Sequence, residues 1–106
     1  MQFRGGMNEL MRQAARMQRK IEQTKDQLKD TQVTTSAVGD KVKATVTYGR
    51  KVVRIEIDPE FLASEGIELA LDGACAAINS ALEQADKAME AELEKITGGV
   101  KLPGLV

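Results

Sequence analysis

Residues 41–62, KVKATVTYGRKVVRIEIDPEFL, contain the pattern that decides the fold. Polar and apolar side chains alternate over Lys41–Tyr48 and again over Lys51–Ile57. A period of two residues is typical of half-buried strands, and the Gly49-Arg50 pair between the runs predicts a turn. We therefore expect an antiparallel hairpin with one polar, solvated face. The side chains expected to face inward are Val42, Ala44, Val46, Tyr48, Val53, Ile55 and Ile57.

The flanking residues add a third strand to this hairpin and then end the sheet. Upstream, Val33–Val38 is rich in β-branched residues, and Gly39-Asp40 predicts the turn that joins it to the hairpin. Downstream, Asp58-Pro59 predicts a helix start, because Asp caps free N–H groups and Pro fits the first helical position. This short helix is expected to end at Gly66.

A long helix is predicted before the sheet, from about Met7 to Asp30, with Asn8 as its N-cap. Its apolar side chains recur at alternating steps of four and three residues, the seam of a helix packed lengthwise on another helix. At 1.5 Å per residue this helix would reach about 36 Å. The seam residues are Leu10, Ala14, Met17, Ile21, Thr24 and Leu28.

A second long helix is predicted after the sheet, from Ile67 to about Ile96, and Gly98-Gly99 is expected to end it. Small side chains at Gly73, Ala74, Ala76, Ala77 and Ala81 predict a partner that packs closely. Cys75 is expected to pack among them as a small hydrophobe. Residues 98–106 are predicted to form a flexible tail. The seam residues near heptad spacing are Leu71, Cys75, Ile78, Leu82, Ala85, Met89 and Ile96.

These elements predict one α+β domain over residues 1–106, made of a long helix, a three-stranded antiparallel meander, a short helix and a second long helix. A lone three-stranded sheet cannot cover two long helices that both carry apolar seams. Two protomers could bury both seams around a two-fold axis. The sequence therefore predicts an obligate homodimer.

Composition excludes several classes of function. The chain has 106 residues, no His and one Cys. Without His, imidazole bases and imidazole metal ligands are absent, and the carboxylates do not have the spacing of a catalytic or metal site. We expect no enzymatic activity, no cofactor, no metal and no small-molecule substrate. The N-terminus lacks a signal-peptide apolar region, and no run approaches a membrane span, so a cytoplasmic protein without membrane contact is expected.

Charge is divided unevenly along the chain. Residues 1–54 have a balance of +7 and residues 55–106 a balance of −8. Arg12, Arg16, Arg19 and Lys20 share one face of the first helix, opposite its seam. Two pairs of them, four residues apart, repel each other by about 0.2–0.5 kcal/mol each. Arg16 and Lys20 have no acidic neighbour three or four residues away that would offset this repulsion, which favours binding of an external anion such as a phosphate backbone. A solvated helix face and an ion pair to the acidic second helix remain alternatives.

Other basic residues follow the sheet, and their role is less specific. Lysines on a sheet often prevent aggregation at its edges, which is an alternative to binding. Recognition of RNA or single strands uses aromatic stacking, and this chain has only three aromatic residues. Duplex DNA held at its phosphates needs none. The basic residues in this group are Lys41, Lys43, Arg50, Lys51 and Arg54.

Taken together, these segments resemble the YbaB/EbfC family of bacterial nucleoid-associated proteins. The similarity covers nearly the whole chain, through MNELMRQAARMQRKIEQTKDQL, KVKATVTYG, KVVRIEIDPEFL, AAINSALEQA and the closing TGGVKLPG. The most specific segment is V-x-I-D-P-x-x-L, within Arg54–Leu62, where Arg54 stands in place of the family's frequent Val. Order, spacing and length together make the resemblance specific.

The resemblance implies a homodimer whose paired long helices project like tweezers. It implies binding of double-stranded DNA, a change in DNA conformation, nucleoid organisation and an effect on gene expression. The family's DNA surface is associated with the projecting helices, which include the basic face found here. The last helix departs from a basic pattern, because its acidic residues outnumber its lysines. The DNA-contacting residues predicted on this basis are Arg12, Arg16, Arg19, Lys20 and, next, Arg4.

The resulting prediction is a cytoplasmic, nucleoid-located DNA-binding protein that contacts phosphates with little sequence specificity. A different class stays open, since prefoldin-like chaperones and other helical interaction modules also carry long helices beside β-hairpins. Salt-sensitive DNA binding would distinguish the two.

Overall fold

The computed structural model describes the backbone of residues 3–98 and the side chains of residues 6–98. It confirms the predicted order of elements and the α+β fold. The elements are α1 (Phe3–Leu28), β1 (Gln32–Ala37), β2 (Val42–Thr47), β3 (Val52–Ile57), α2 (Pro59–Glu65) and α3 (Ile67–Thr97).

Local signals explain most of the element boundaries. Asp58 accepts hydrogen bonds from the backbone N–H groups of Glu60 (2.8 Å) and Phe61 (3.4 Å), so it caps α2 as predicted. Gly98 ends α3 in the left-handed conformation at φ 64°. The remainder of the predicted tail lies outside the described residues. The N-cap predicted at Asn8 is wrong, because α1 begins at Phe3 and continues through Gly6. A glycine costs a helix only about 1 kcal/mol, which the rest of α1 offsets.

The three strands form an antiparallel sheet in the order β1-β2-β3. A bulge interrupts the second pair, since Thr45 lies opposite Arg54 but Val46 lies opposite Val52. Val53 is the additional residue of this bulge and has no partner in the register. Its side chain is 46% exposed.

The sheet face that the sequence predicts to be solvated is only partly so. Thr45 and Thr47 of the central strand are buried. The hydroxyl of Thr45 lies 2.8 Å from the hydroxyl of Thr34 on β1, and the hydroxyl of Thr47 accepts a hydrogen bond from the Lys51 amide. Flanking strands cover both hydroxyls, and these partners satisfy them. The prediction holds for Lys43, which is exposed.

Helix α3 packs its small side chains against β1 and β2, as predicted, and Ile78 and Leu82 of the predicted seam lie against the same core. Ala70, Ala74, Ala77, Ala81 and Ala85 are buried. An ideal Cβ on Gly73 would lie 3.0 Å from the side chains of both Val38 and Val42. Small residues thus allow the helix to approach the sheet closely.

One helix is too narrow to cover three strands, and β3 is left open. A helix is about 10 Å wide with its side chains, and three strands span nearly as much between their outer axes before their own side chains are counted. Val52 and Ile55 of β3 are 47% and 43% exposed, although Ile57 packs onto the core. Ile55 lies opposite the buried Ala44, on the side of the sheet predicted to face inward, but the described residues do not cover it fully. Cys75 of α3 is also exposed, contrary to prediction.

Helix α1 precedes the sheet in the chain. It packs along the second half of α3 and meets the sheet at one end. Backbone hydrogen bonds from Tyr48 and Gly49 to the carbonyls of Thr31 and Lys29 fix this corner. At the same end of the sheet, Arg50 pairs with Asp86 of α3. Ile21 of α1 and the distal α3 residue Leu93 are then both buried, at 2% and 3% exposure.

The first eleven described side chains of α1, residues 6–16, are all exposed. From Asp86, α3 runs only about 16 Å further to Thr97, and the same distance back from Lys29 along α1 reaches Gln18. Residues 6–16 therefore extend beyond the end of α3, and we call them the arm. The molecule measures 76 × 19 × 17 Å, with a radius of gyration of 20.2 Å. About 13 Å is expected of a compact domain of this size.

Candidate nucleic-acid interface

The predicted basic face lies on the arm and on the helical turn that follows it. Arg12 and Arg16 belong to the arm, and Arg19 and Lys20 lie in the next turn. All four side chains are exposed, with Arg12 at 71% and Arg16 at 59%. Regular helix geometry from Phe3 to Leu28 places them within an arc of about 100°. Arg4 is part of α1, but its side chain is outside the described ones.

One acidic residue, Glu9, moderates this face. Its carboxylate lies 3.5 Å from Nη2 of Arg16 and 3.9 Å from Nη1 of Arg12. The sequence pattern missed the first contact, since seven residues separate the pair and only two long side chains can span two helical turns. Arg19 and Lys20 form no ion pair within the described residues. The face therefore keeps a net positive charge.

The opposite side of the arm is apolar and uncovered. Met7, Leu10 and Met11 are 60%, 63% and 67% exposed. Met7 and Leu10 continue the seam that, further along α1, includes the partly buried Met17 and the buried Ile21, and Met11 lies beside it. The arm is thus a helix with a basic face on one side and an exposed apolar face on the other. We call the apolar face, formed by Met7, Leu10 and Met11, the front of the arm.

Three of the five basic residues of the sheet form ion pairs, compared with two of the four on the basic face of α1. Lys41 lies 3.5 Å from Asp58, Arg54 lies 3.8 Å from Glu56, and Arg50 contacts Asp86. Because Lys43 lies on the central strand, it does not protect a sheet edge. These pairs reduce the positive charge of the sheet, and Lys43 and Lys51 form no ion pair among the described residues.

The capping carboxylate Asp58 has a pKa below its ordinary value. The hydrogen bond from the Glu60 amide lowers the pKa of Asp58, with smaller contributions from Phe61 and Lys41. Burial opposes this shift. Both effects are explained by its structural role at the start of α2.

The distal part of α3 is acidic, and its lysines are paired. Lys87 lies 3.3 Å from Glu83, and Lys95 lies 3.2 Å from Glu92. The positive potential near the projecting end therefore comes from α1. No group of three or more potential metal ligands occurs among residues 3–98. Over that same range, no helix is both long and apolar enough to cross a membrane.

Comparison with known proteins identifies the family of this chain. The model of the YbaB/EbfC DNA-binding family matches residues 3–100. A nucleoid-associated protein of Acetivibrio thermocellus is 39% identical over 104 residues, which cover 97% of this chain and 92% of that protein. A nucleoid-associated protein of Agathobacter rectalis is 40% identical over 96 residues, covering 91% and 85%.

A solved structure confirms the fold independently of sequence. The crystal structure of the uncharacterized protein HP0035 from Helicobacter pylori superposes with a TM-score of 0.69 at 19% identity. The match covers 86% of this chain and 96% of that one. At this identity the similarity concerns architecture alone.

Proposed function

The chain belongs to the YbaB/EbfC DNA-binding family, and on that premise we propose that it is a nucleoid-associated protein that binds double-stranded DNA. Binding occurs mainly at phosphates and with little sequence specificity. The observation that carries this proposal is the arm, an exposed helix that projects past its own domain with basic side chains on one face. Phosphate contacts of this kind position a protein on DNA without reading bases.

The contacts are assigned to Arg12, Arg16, Arg19 and Lys20, with Arg4 next in line. Arginine and lysine bind phosphate oxygens strongly because both groups are charged. The family's name and the names of its curated members support the choice of DNA as the anion. The few aromatic residues in the chain favour duplex over single-stranded DNA.

The protein acts as a homodimer in this proposal, because each protomer carries an apolar trough that none of the described residues fills. Ser80 and Gln84 of α3 lie beside β1. The apolar stripe of Ile67 and Leu71 lies about 140° further round α3, on the side of β3. Ile67 and Leu71 on this stripe are 57% and 54% exposed. Together with the bare inner side of β3, they form a trough suited to the same elements of a second protomer.

Dimerisation doubles the number of arms that one particle can bring to DNA. Two arms held in a fixed relation can constrain the path of the duplex between them. This supports a change in DNA conformation, nucleoid organisation and, through these, an effect on gene expression. The nucleoid of a bacterial cytoplasm is the corresponding location, and no catalytic step is involved.

The test is duplex-DNA binding across a salt series, with wild type beside a variant that carries Arg12→Ala, Arg16→Ala and Lys20→Ala. If the dimer contacts about eight phosphates, log K should fall with log[salt] at a slope near −7. The variant retains Arg19 and is expected to show a slope of about −2.

The matched control removes the same three charges from the sheet, through Lys43→Ala, Lys51→Ala and Arg54→Ala. It should bind nearly as wild type. If the control rather than the arm variant loses the slope, the contacts lie on the sheet. If wild type does not bind at low salt, the DNA proposal fails, and a helical protein-interaction or prefoldin-like chaperone module becomes the better interpretation.

A further inference from the structure

The apolar front of the arm has no role in the contacts assigned above. Met7, Leu10 and Met11 are each at least 60% exposed. Exposed apolar residues grouped on one face usually mark an interaction surface. The phosphate contacts use the opposite side of the helix, so this front stays available when DNA is bound.

The sequence spacing of the apolar residues on the front indicates that its partner is another helix. Leu10, Ala14 and Met17 continue the alternating four- and three-residue steps of the α1–α3 interface past the point where α3 ends. This repeat is that of helix-against-helix packing. An antiparallel pair of arms centred near Arg12 would set Leu10 of one helix opposite Ala14 of the other, a large residue against a small one.

Charge placement allows two basic arms to meet in this way. The positions that flank the seam within the arm are uncharged and include Met11 and Gln13. Arg12 and Arg16 lie at positions that point away from the seam. Two arms can therefore pair front to front with both basic faces turned outward.

We propose that the arm is a self-association surface, through which a second copy of this chain, belonging to another dimer, packs its own arm front to front. Each arm offers only a few side chains, well below the roughly 1,200 Å² at the lower end of stable interfaces. The contact is therefore weak in solution and becomes effective when DNA raises the local concentration of dimers. Two outward basic faces on one pair of arms hold two duplexes, or two sites on one duplex. This inference rests on the proposed function for its DNA consequence only.

The test uses the full chain carrying Met7→Gln, Leu10→Gln and Met11→Gln, since glutamine keeps a high helix propensity. The control carries Asn8→Gln and Ala15→Gln, which lie off the seam on the same arm. Binding to a duplex long enough for one dimer depends on the basic face alone. The triple glutamine variant, called the seam variant below, should bind this duplex within about twofold of wild type. Immobilised long duplex should recover a second, labelled duplex with wild type and with the control. The seam variant should recover at least about tenfold less.

A measurement without DNA separates this inference from the proposed function. Sedimentation equilibrium at high protein concentration should show dimers associating further for wild type and for the control, but not for the seam variant. Equal association or equal duplex recovery by the seam variant overturns the inference. Dissociation of its dimer, or loss of its single-duplex binding, also overturns it, since the seam would then belong to the dimer or DNA contact. Failure of wild type to bind DNA while the dimers still associate leaves the surface intact and rejects only the DNA function.

Discussion

Glu9 is the residue whose charge limits the basic face most directly. It lies within 4 Å of both Arg12 and Arg16, and all three side chains are at least half exposed. Exposed ion pairs contribute little to stability, so Glu9 can be removed without harm to the fold. Its main effect is on the potential that an approaching phosphate meets.

Glu9→Gln should strengthen duplex-DNA binding, because it releases two arginines from a competing carboxylate. We expect roughly a two- to fivefold gain at low salt, the size of one surface pair. Fluorescence anisotropy with labelled duplex measures it. Glu65→Gln on α2 removes the same charge away from the arm and serves as control. Equal affinities of the two variants would contradict the assignment of Arg12 and Arg16.

Asp58 links the fold to pH. The pKa of its carboxyl is lowered in the folded chain, first by the Glu60 amide, so the unfolded chain binds the proton more tightly. Its stabilising effect is therefore complete above the ordinary value of 3.8 and is lost as pH falls below it. The acid sensitivity of the sheet–α2 junction should follow this group.

Asp58→Asn should lower the melting temperature near neutral pH, and its difference from wild type should shrink as pH falls through 3.8 towards 2.5. Circular dichroism melts at several pH values measure this. Lys41→Met keeps the amide bonds and removes only the ion pair, so it should preserve most of the wild-type profile. A gap between Asp58→Asn and wild type that stays constant with pH would rule out the carboxylate as its source.

At the scale of elements, the close approach of α3 to the sheet depends on Gly73. A methyl group there would meet Val38 and Val42 at 3.0 Å. Overpacking costs about 1–3 kcal/mol, and replacing glycine by alanine in a helix returns about 1 kcal/mol. The helix must therefore stay small at this position.

Gly73→Ala should lower the free energy of unfolding by about 1 kcal/mol in urea titrations. Gly6→Ala is the matched substitution in α1, where the new methyl group would have no neighbour within 4 Å. It should leave stability unchanged or slightly raised. Unchanged stability of Gly73→Ala would show that α3 can move away from the sheet without cost.

Sequence periodicity predicts the elements well because their signals are local. The sequence signals for strand β2 and for the Asp58-Pro59 cap act within a few residues, and both elements are observed. The bulge at Val53 depends on how two strands pair, which alternation within one strand does not encode. The sequence also offers two faces of α3 for packing, the heptad seam and the face of small residues. Which face lies against the sheet depends on the tertiary fold, and the structure shows that it is the alanine face. For the candidate site, the basic face follows from helix geometry, whereas the Glu9–Arg16 contact depends on side-chain reach.

At the scale of the whole molecule, burial in the single chain is incomplete. Ile67 and Leu71 on α3 and Val52 and Ile55 on β3 are all more than 40% exposed. A soluble domain seldom leaves so much contiguous apolar surface in water. The exposed Cys75 lies on the same stripe of α3, so the reactivity of its thiol shows whether this surface is covered.

We expect a molar mass near twice 11.5 kDa from light scattering. In the native protein, Cys75 should react with a maleimide at least about tenfold more slowly than in urea, because the partner protomer covers it. Leu71→Glu should give a monomer in which Cys75 reacts readily. A monomeric wild type with a freely reactive Cys75 would reject the proposed dimer.

The elongated shape has a consequence for spacing along a duplex. B-DNA repeats every 34–36 Å, so a body 76 Å long spans about two helical repeats. If a protomer lies along the duplex axis, its two ends then face the same groove on the same side of the double helix. Adjacent protomers could follow one side of the double helix without winding around it. The nuclease footprint of such an array would be a ladder of cuts about ten base pairs apart on the uncovered side.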